Sequence, residues 1–166
     1  VGTAAVQLGV GAGAQVTAAV RHPGRRDEVG ALGAIAVDLG AAGAHGPFDV
    51  ILELVGGAGV ATALALLATG GRLAVIGISA GARAEIDLRR LMDRRAHIVG
   101  STLRARPLEA KAAAARLVEA HVLPLFEGPS RRLRVPVAAA YPLADVAAAY
   151  ERFAGGAKFG KIVLMP

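Results

Sequence analysis

Val1-Gly2-Thr3-Ala4-Ala5-Val6-Gln7-Leu8 opens the chain, and the way this stretch is read decides the fold. A glycine and a threonine run straight into an alanine-rich apolar segment. That is the pattern of the last corner of a phosphate-binding glycine loop followed by its helix. Free backbone amides and the positive end of the helix dipole draw a phosphate to such a helix start. The strand that should feed the loop does not precede it. The expectation is therefore a nucleotide-binding protein whose chain begins inside its own motif.

With 166 residues the chain suits one domain with an appendage, and it can bury a real core. Hydrophobic residues make up 54% and aromatics only 4%, so the core must be Val, Ile and Leu set against Ala-rich helices. A net charge of +6 raises the question of nucleic acid. The arginines, however, are spread along the chain, and no aromatic residues alternate with them as single-strand binding requires. No nucleic-acid partner is expected. The absence of cysteine excludes disulfides and thiolate metal sites. No signal-peptide pattern opens the chain, and the long uncharged run from Leu54 to Gly71 is broken by Gly56, Gly57 and Gly59. No membrane association and a cytoplasmic location are expected.

Strands and helices alternate along most of the chain. Residues 3–13 read as a helix, Gln15–Val20 as a buried strand, and Arg21-His22-Pro23-Gly24 as a turn. A short helix at Arg25–Leu32 and a brief strand at Ala34–Val37 follow, then a loop of small residues at Ala41–Pro47. Phe48–Leu54 is the clearest strand. The pattern next predicts a helix over Val60–Ala68 capped by Gly70-Gly71, a strand over Arg72–Gly77, and a loop over Ile78–Ala84. A basic helix at Asp87–Arg95, a strand at His97–Ser101 and a long helix at Leu108–His121 come after. Beyond about 122 the character shifts, with Pro124, Gly128, Pro129 and the basic group Arg131, Arg132 and Arg134. A strand at Val137–Tyr141, a helix from Pro142 to Phe153 and a strand at Gly160–Leu164 close the chain. This alternation predicts an α/β fold with a doubly wound parallel sheet.

Three glycine groups compete for the phosphate. Gly9-x-Gly11-x-Gly13 lies late in a helix with no strand before it, which equally fits small residues where a helix packs and ends. Gly56-Gly57-x-Gly59 follows a strand and opens a helix, but no acid ends the next strand at Gly77-Ile78-Ser79. It reads either as the phosphate loop or as a strand-end loop lining the same crevice. Val1-Gly2-Thr3 is followed, at the expected spacing, by a strand ending at Val20. Where a carboxylate would select NAD, Arg21, Arg25 and Arg26 crowd one turn. Guanidinium groups there suit a 2′-phosphate. The plainer reading is a solvated basic turn. His22, His45, His97 and His121 are scattered without metal-ligand spacing, and Glu85 with Asp87 reads as a helix-start cluster.

The first eight residues resemble the loop and helix of medium-chain dehydrogenases/reductases. So do Phe48-Asp49-Val50-Ile51-Leu52-Glu53-Leu54-Val55-Gly56-Gly57, Leu66-Leu67-Ala68-Thr69-Gly70-Gly71-Arg72-Leu73 and Ile98-Val99-Gly100-Ser101-Thr102-Leu103. Tyr141-Pro142-Leu143-Ala144-Asp145 and Gly160-Lys161-Ile162-Val163-Leu164 complete the pattern in the same order. The nearest branch is the zinc-free quinone oxidoreductases, which are similar to polyketide enoyl reductase domains. The resemblance implies a Rossmann cofactor domain over 1–121 lacking its first strand. It also implies a return segment, 122–166, that belongs to a GroES-like catalytic domain. The cofactor implied is NADP(H), and the reaction is zinc-independent hydride transfer to a quinone or an electron-poor C=C.

By the same resemblance, Gly2 and Thr3 face the pyrophosphate, and Arg21 and Arg25 reach the 2′-phosphate. Val55, Gly56, Gly77, Ile78 and Ser79 line the ribose and nicotinamide side, and Leu103 and Lys161 close the pocket. Glu53 departs from a usual Asp, and Leu39 stands where an aromatic often stacks. A small-molecule substrate and a homodimer joined along the sheet edge near Ile98–Ser101 are implied as well. In a sheet of order 3-2-1-4-5-6 the first strand is central, and its loss leaves backbone groups unpaired at roughly 1–3 kcal/mol each. A longer natural chain, or another segment in that place, is therefore expected. The alternative is a catalytically silent nucleotide-binding or dimerisation module.

Overall fold

The computed structural model describes residues 1–127, 133–156 and 158–166. In chain order the main elements are α1 (Gly2–Gly11), β1 (Thr17–Ala19), α2 (Arg26–Gly30), β2 (Ile35–Val37) and β3 (Phe48–Glu53). They continue with α3 (Gly59–Ala65), β4 (Leu67–Val75), α4 (Leu88–Asp93), β5 (His97–Gly100) and α5 (Leu108–His121). The chain ends with β6 (Val137–Pro142), α6 (Val146–Ala154) and β7 (Lys161–Met165). Two compact units form, Val1–Leu39 with Ala120–Pro166, and Gly40–Glu119.

In the first unit, β1 and β2 pair in parallel across the short helix α2, with Ala18 opposite Ala36. Val6, Leu32 and Ala34 form the core, with Val10, Val16, Ala18, Val29 and Phe159 packed on it. Helix α1 ends in a Schellman motif: the Ala14 N–H donates to the Gly9 carbonyl at 3.0 Å, and the Gly13 N–H to Val10 at 2.9 Å. Gly13 accordingly takes φ +82°, and a Cβ on Gly9 would stand 2.9 Å from Val16 Cγ2. The Gly9, Gly11 and Gly13 series thus serves helix packing and termination.

The last part of the chain, also in the first unit, is another parallel motif, β6-α6-β7, with Ala140 opposite Val163. One buried polar side chain fixes the segment leading into it. Gln7 is 6% exposed. Its Nε2 donates to the Thr3 carbonyl at 2.9 Å and to the Arg134 carbonyl at 3.0 Å. Its Oε1 accepts from the Arg134 N–H at 2.8 Å. The amide imitates a strand partner, so the backbone at Arg134 is satisfied by a helix side chain. Gly128, Pro129, Arg131 and Arg132 of the tail lie outside the described residues.

In the second unit β3, β4 and β5 form one parallel sheet in sequence order, joined by α3 and α4. Leu64, Leu67 and Leu73 are essentially inaccessible, and with Val60 and Ala63 they make the core. The Asp87 carboxylate caps α4, accepting from the N–H groups of Arg89 at 2.9 Å and Arg90 at 3.2 Å. One expectation is corrected here. The helix ends at Ala65 rather than Ala68, and the strand has already begun at Leu67. Pairing runs from Phe48 with Leu67 to Val50 with Arg72, so Gly70-Gly71 sits in a bulge of the strand instead of capping the helix. Leu67 and Leu73 must both reach the core, and the bulge takes up the extra residues between them.

The parallel α/β topology is thus as expected, in three ladders: β1-β2, β3-β4-β5 and β6-β7. Among the described residues β1 pairs with β2 alone and β3 with β4 alone, so no described strand supplies a ladder partner to the other edge of either. No described strands close into a barrel.

Replacing Gln7 by Ala orphans the Arg134 N–H and C=O. We expect a loss of about 2–4 kcal/mol in urea unfolding, with faster amide exchange at Arg134. Unchanged stability and exchange would show that the contact is incidental.

Candidate functional site

The C-terminal ends of parallel strands are where open α/β sheets take ligands. In the second unit, the loops after β3 and β4 meet there. The Ala80 N–H donates to the Val55 carbonyl at 2.8 Å, and the Gly57 N–H donates to Gly81 at 3.0 Å. Gly56 and Gly81 form an isolated parallel bridge. At Gly56 and Gly77 this approach leaves no room for a side chain. A Cβ on Gly56 would lie 2.7 Å from the Gly81 carbonyl oxygen, and one on Gly77 would run into the Leu54 carbonyl. Val55, Gly56, Gly77, Ile78 and Ser79 are therefore gathered on one rim. Gly56 is buried, while Ile78 and Ser79 are exposed.

Glu53 holds this rim together. Its Oε1 accepts from the N–H groups of Val55 at 2.7 Å and Gly56 at 3.0 Å. A carboxylate accepting two backbone N–H bonds fixes the turn more firmly than a neutral acceptor would. The sequence showed Glu53 only as a departure from the family's Asp. An acid at a strand end, directly before Val-Gly-Gly, is the signal that its role is to bind the turn. Leu103 of the same unit stands exposed in the turn after β5.

In the first unit Gly2 and Thr3 form the first turn of α1. Ala4 and Ala5 donate to the Val1 carbonyl at 3.1 and 3.0 Å, and no side chain caps the helix start. The N–H groups of Gly2 and Thr3 come before the first intrahelical acceptor and remain available to an anion. The basic turn after β1 is a 3-10 helix, Pro23–Arg25, leading into α2. Arg25 pairs with Glu28 at 2.8 Å and Arg26 with Asp38 at 2.7 Å, whereas Arg21 is exposed. Lys161 opens β7, its N–H donating to the Pro136 carbonyl at 2.8 Å. Arg25 also lines a cavity of about 500 Å³ with residues of the tail, a grouping the sequence did not foresee.

Among the described residues no three His, Cys, Asp or Glu side chains gather as a metal site requires. No described helix is long and apolar enough to cross a membrane.

A parallel α/β chain with a glycine-lined strand-end rim and an uncapped helix start is what the medium-chain dehydrogenase/reductase fold comprises. Residues 1–120 match the zinc-binding dehydrogenase family model, and the chain belongs to that family.

Solved structures agree. The chain is similar to the quinone oxidoreductase of Thermus thermophilus, determined also in complex with NADPH, at 34% identity and a TM-score of 0.79. That match covers 99% of this chain and 54% of the other. A putative alcohol dehydrogenase from Sinorhizobium meliloti 1021 matches at 27% identity and a TM-score of 0.76, covering 99% and 45%. A thermostable alcohol dehydrogenase from Pyrobaculum aerophilum matches at 29% and 0.74, covering 99% and 46%. The chain thus spans about half the length of these proteins. No curated protein matches it significantly.

Gly77→Ala forces a methyl into the Leu54 carbonyl and should cost about 3 kcal/mol in denaturant unfolding. Gly70→Ala, where the space is open but φ is +77°, should cost only about 1–2 kcal/mol. A loss at Gly77 no larger than that at Gly70 would mean that the close approach is not a constraint.

Proposed function

We propose that this chain is the cofactor-binding portion of an NAD(P)-dependent oxidoreductase, and that by itself it binds a dinucleotide without reducing a substrate. The observation that carries the reading is the glycine rim, where the loops after β3 and β4 meet so closely that a Cβ on Gly56 or Gly77 would collide with backbone. Residues 1–121 are the nucleotide-binding domain, and 122–166 are a return segment of a GroES-like domain.

The roles divide by residue. In the first unit Gly2 and Thr3 offer amides to a pyrophosphate, and Arg21 and Arg25 offer guanidinium groups to a 2′-phosphate. In the second unit Val55, Gly56, Gly77, Ile78 and Ser79 take the ribose and nicotinamide side. Leu103 in the second unit and Lys161 in the first are each assigned a cofactor contact of their own. Bound NADPH supplies the hydride, and the rim orients the ring and excludes water.

The 34% identity to a quinone oxidoreductase favours, for the complete catalyst, zinc-independent reduction of a quinone or an electron-poor C=C. The outer edge of β5 has no strand partner among the described residues, which suits pairing with a second copy near Ile98–Ser101.

Calorimetric titration of the 166-residue chain should show NADPH binding, with no NADPH consumption when a quinone or enone is added. Arg21→Ala and Arg25→Ala should each weaken NADPH about tenfold and leave NADH within about twofold. Steady turnover would overturn the binding-module reading, and absence of dinucleotide binding would overturn the cofactor reading.

A further inference from the structure

The cavity that contains Arg25 is a further site. About 500 Å³ in volume, it lies wholly within the first unit, and its charged lining is Arg25, Glu28, Arg134, Arg152 and Lys158, with Phe159 as an apolar wall. Four basic residues and one acidic residue therefore line it. Three of them, Arg134, Arg152 and Lys158, come from the tail more than a hundred residues beyond Arg25, so no motif in the sequence joins them.

Each of the tail cations is placed by contacts that leave its charge in place. Arg134 is fixed at its backbone by Gln7, and among the described residues its guanidinium makes no hydrogen bond or ion pair. Arg152 Nη1 donates to the Gly156 carbonyl at 3.2 Å. Lys158 Nζ donates to the Phe153 carbonyl at 2.9 Å and stands 3.8 Å over the Phe153 ring. Carbonyls and a ring face orient a cation but do not neutralise it. Phe159 packs on the core of the unit and holds this wall in position. Glu28 is the exception, since it pairs with Arg25 at 2.8 Å.

We infer that this cavity takes a phosphate monoester, and that Arg134 and Lys158 of the tail, with Arg25, determine its affinity. A phosphate dianion presents several acceptor oxygens to such a set of forked and point-charge donors. The volume lies in the ordinary range for a small-molecule pocket, so a phosphorylated ribose or nucleoside fits in it. The inference rests on the dinucleotide reading in one respect. The 2′-phosphate of NADPH is one source of this group, and free phosphate or another small phosphomonoester is the other. On the first, the tail selects NADPH over NADH.

The test is calorimetry on the 166-residue chain with inorganic phosphate, 2′-AMP, 5′-AMP, NADPH and NADH. The wild type should bind 2′-AMP and phosphate, with affinity falling as salt rises. Arg134→Ala and Lys158→Ala should each weaken 2′-AMP and phosphate about tenfold. Glu28→Gln removes the one carboxylate and keeps every cation, so it should tighten both several-fold, a gain that damaged folding does not produce. If neither ligand binds, or if Glu28→Gln gives no gain, the inference is overturned. If NADPH binds and depends on Arg21 but not on Arg134 or Lys158, the tail site falls while the dinucleotide reading stands. If phosphate binds with Arg134 dependence and neither dinucleotide binds, the site stands on free phosphate and the dinucleotide reading falls.

Discussion

The first unit depends on the hydrogen bonds of one side-chain amide. Gln7 lies inside an apolar helix, almost inaccessible, and uses both ends of its amide on Arg134, 127 residues away. A buried amide oxygen left unpaired would cost free energy, so the tail stabilises the helix in this form. The dependence runs both ways. Among the described residues no strand pairs with the tail at Arg134 as it enters β6, and Gln7 serves instead. From that anchor follow the direction of β6, its parallel pairing with β7 and the position of the Arg134 side chain.

In the second unit the same problem is solved at the strand ends. Backbone amides exposed by the turn after β3 find their acceptor in Glu53, and the glycines let the next loop settle directly against that turn. A carboxylate that holds a turn is not available to a substrate. Its value to function is rigidity, because a rim whose own amides are already satisfied keeps its shape when a ligand arrives. The exposed Ile78 and Ser79 are then the parts of the rim open to solvent.

Much of this architecture was legible because it depends on local patterns. Phe48–Glu53, His97–Gly100 and Leu108–His121 emerged nearly as the alternation predicted. Asp87 acts as the helix-start residue it resembled. Misreading set in where a local signal met a tertiary demand. Gly70-Gly71 is a good helix stop in isolation, yet two leucines that must both be buried draw the chain into the sheet before it. Gln7 looked like one more helix residue because its partner is far away in sequence. The cavity cations were unreadable for the same reason. Arg134 sits in a basic run and Lys158 among small residues, and neither position reveals that both reach Arg25.

Charge balance explains why the tail contributes most to that cavity. The chain has 19 basic and 13 acidic residues, but the excess is not equally available. Around α2 the acids follow the arginines closely. Arg25 meets Glu28, and Arg26 meets Asp38 while its Nε stays buried without a hydrogen bond. Such half-exposed pairs contribute little stability, typically no more than about 1 kcal/mol, but each offsets a positive charge that an anion would otherwise feel. The tail cations are oriented by neutral groups, so their field remains. On the phosphate inference, an anion near the strand-end turn would therefore be held less by the arginines adjacent in sequence than by those from the other end of the chain. For this reason a basic turn alone is a weak guide to phosphate affinity: the pairing of each arginine decides how much of its charge a ligand can use.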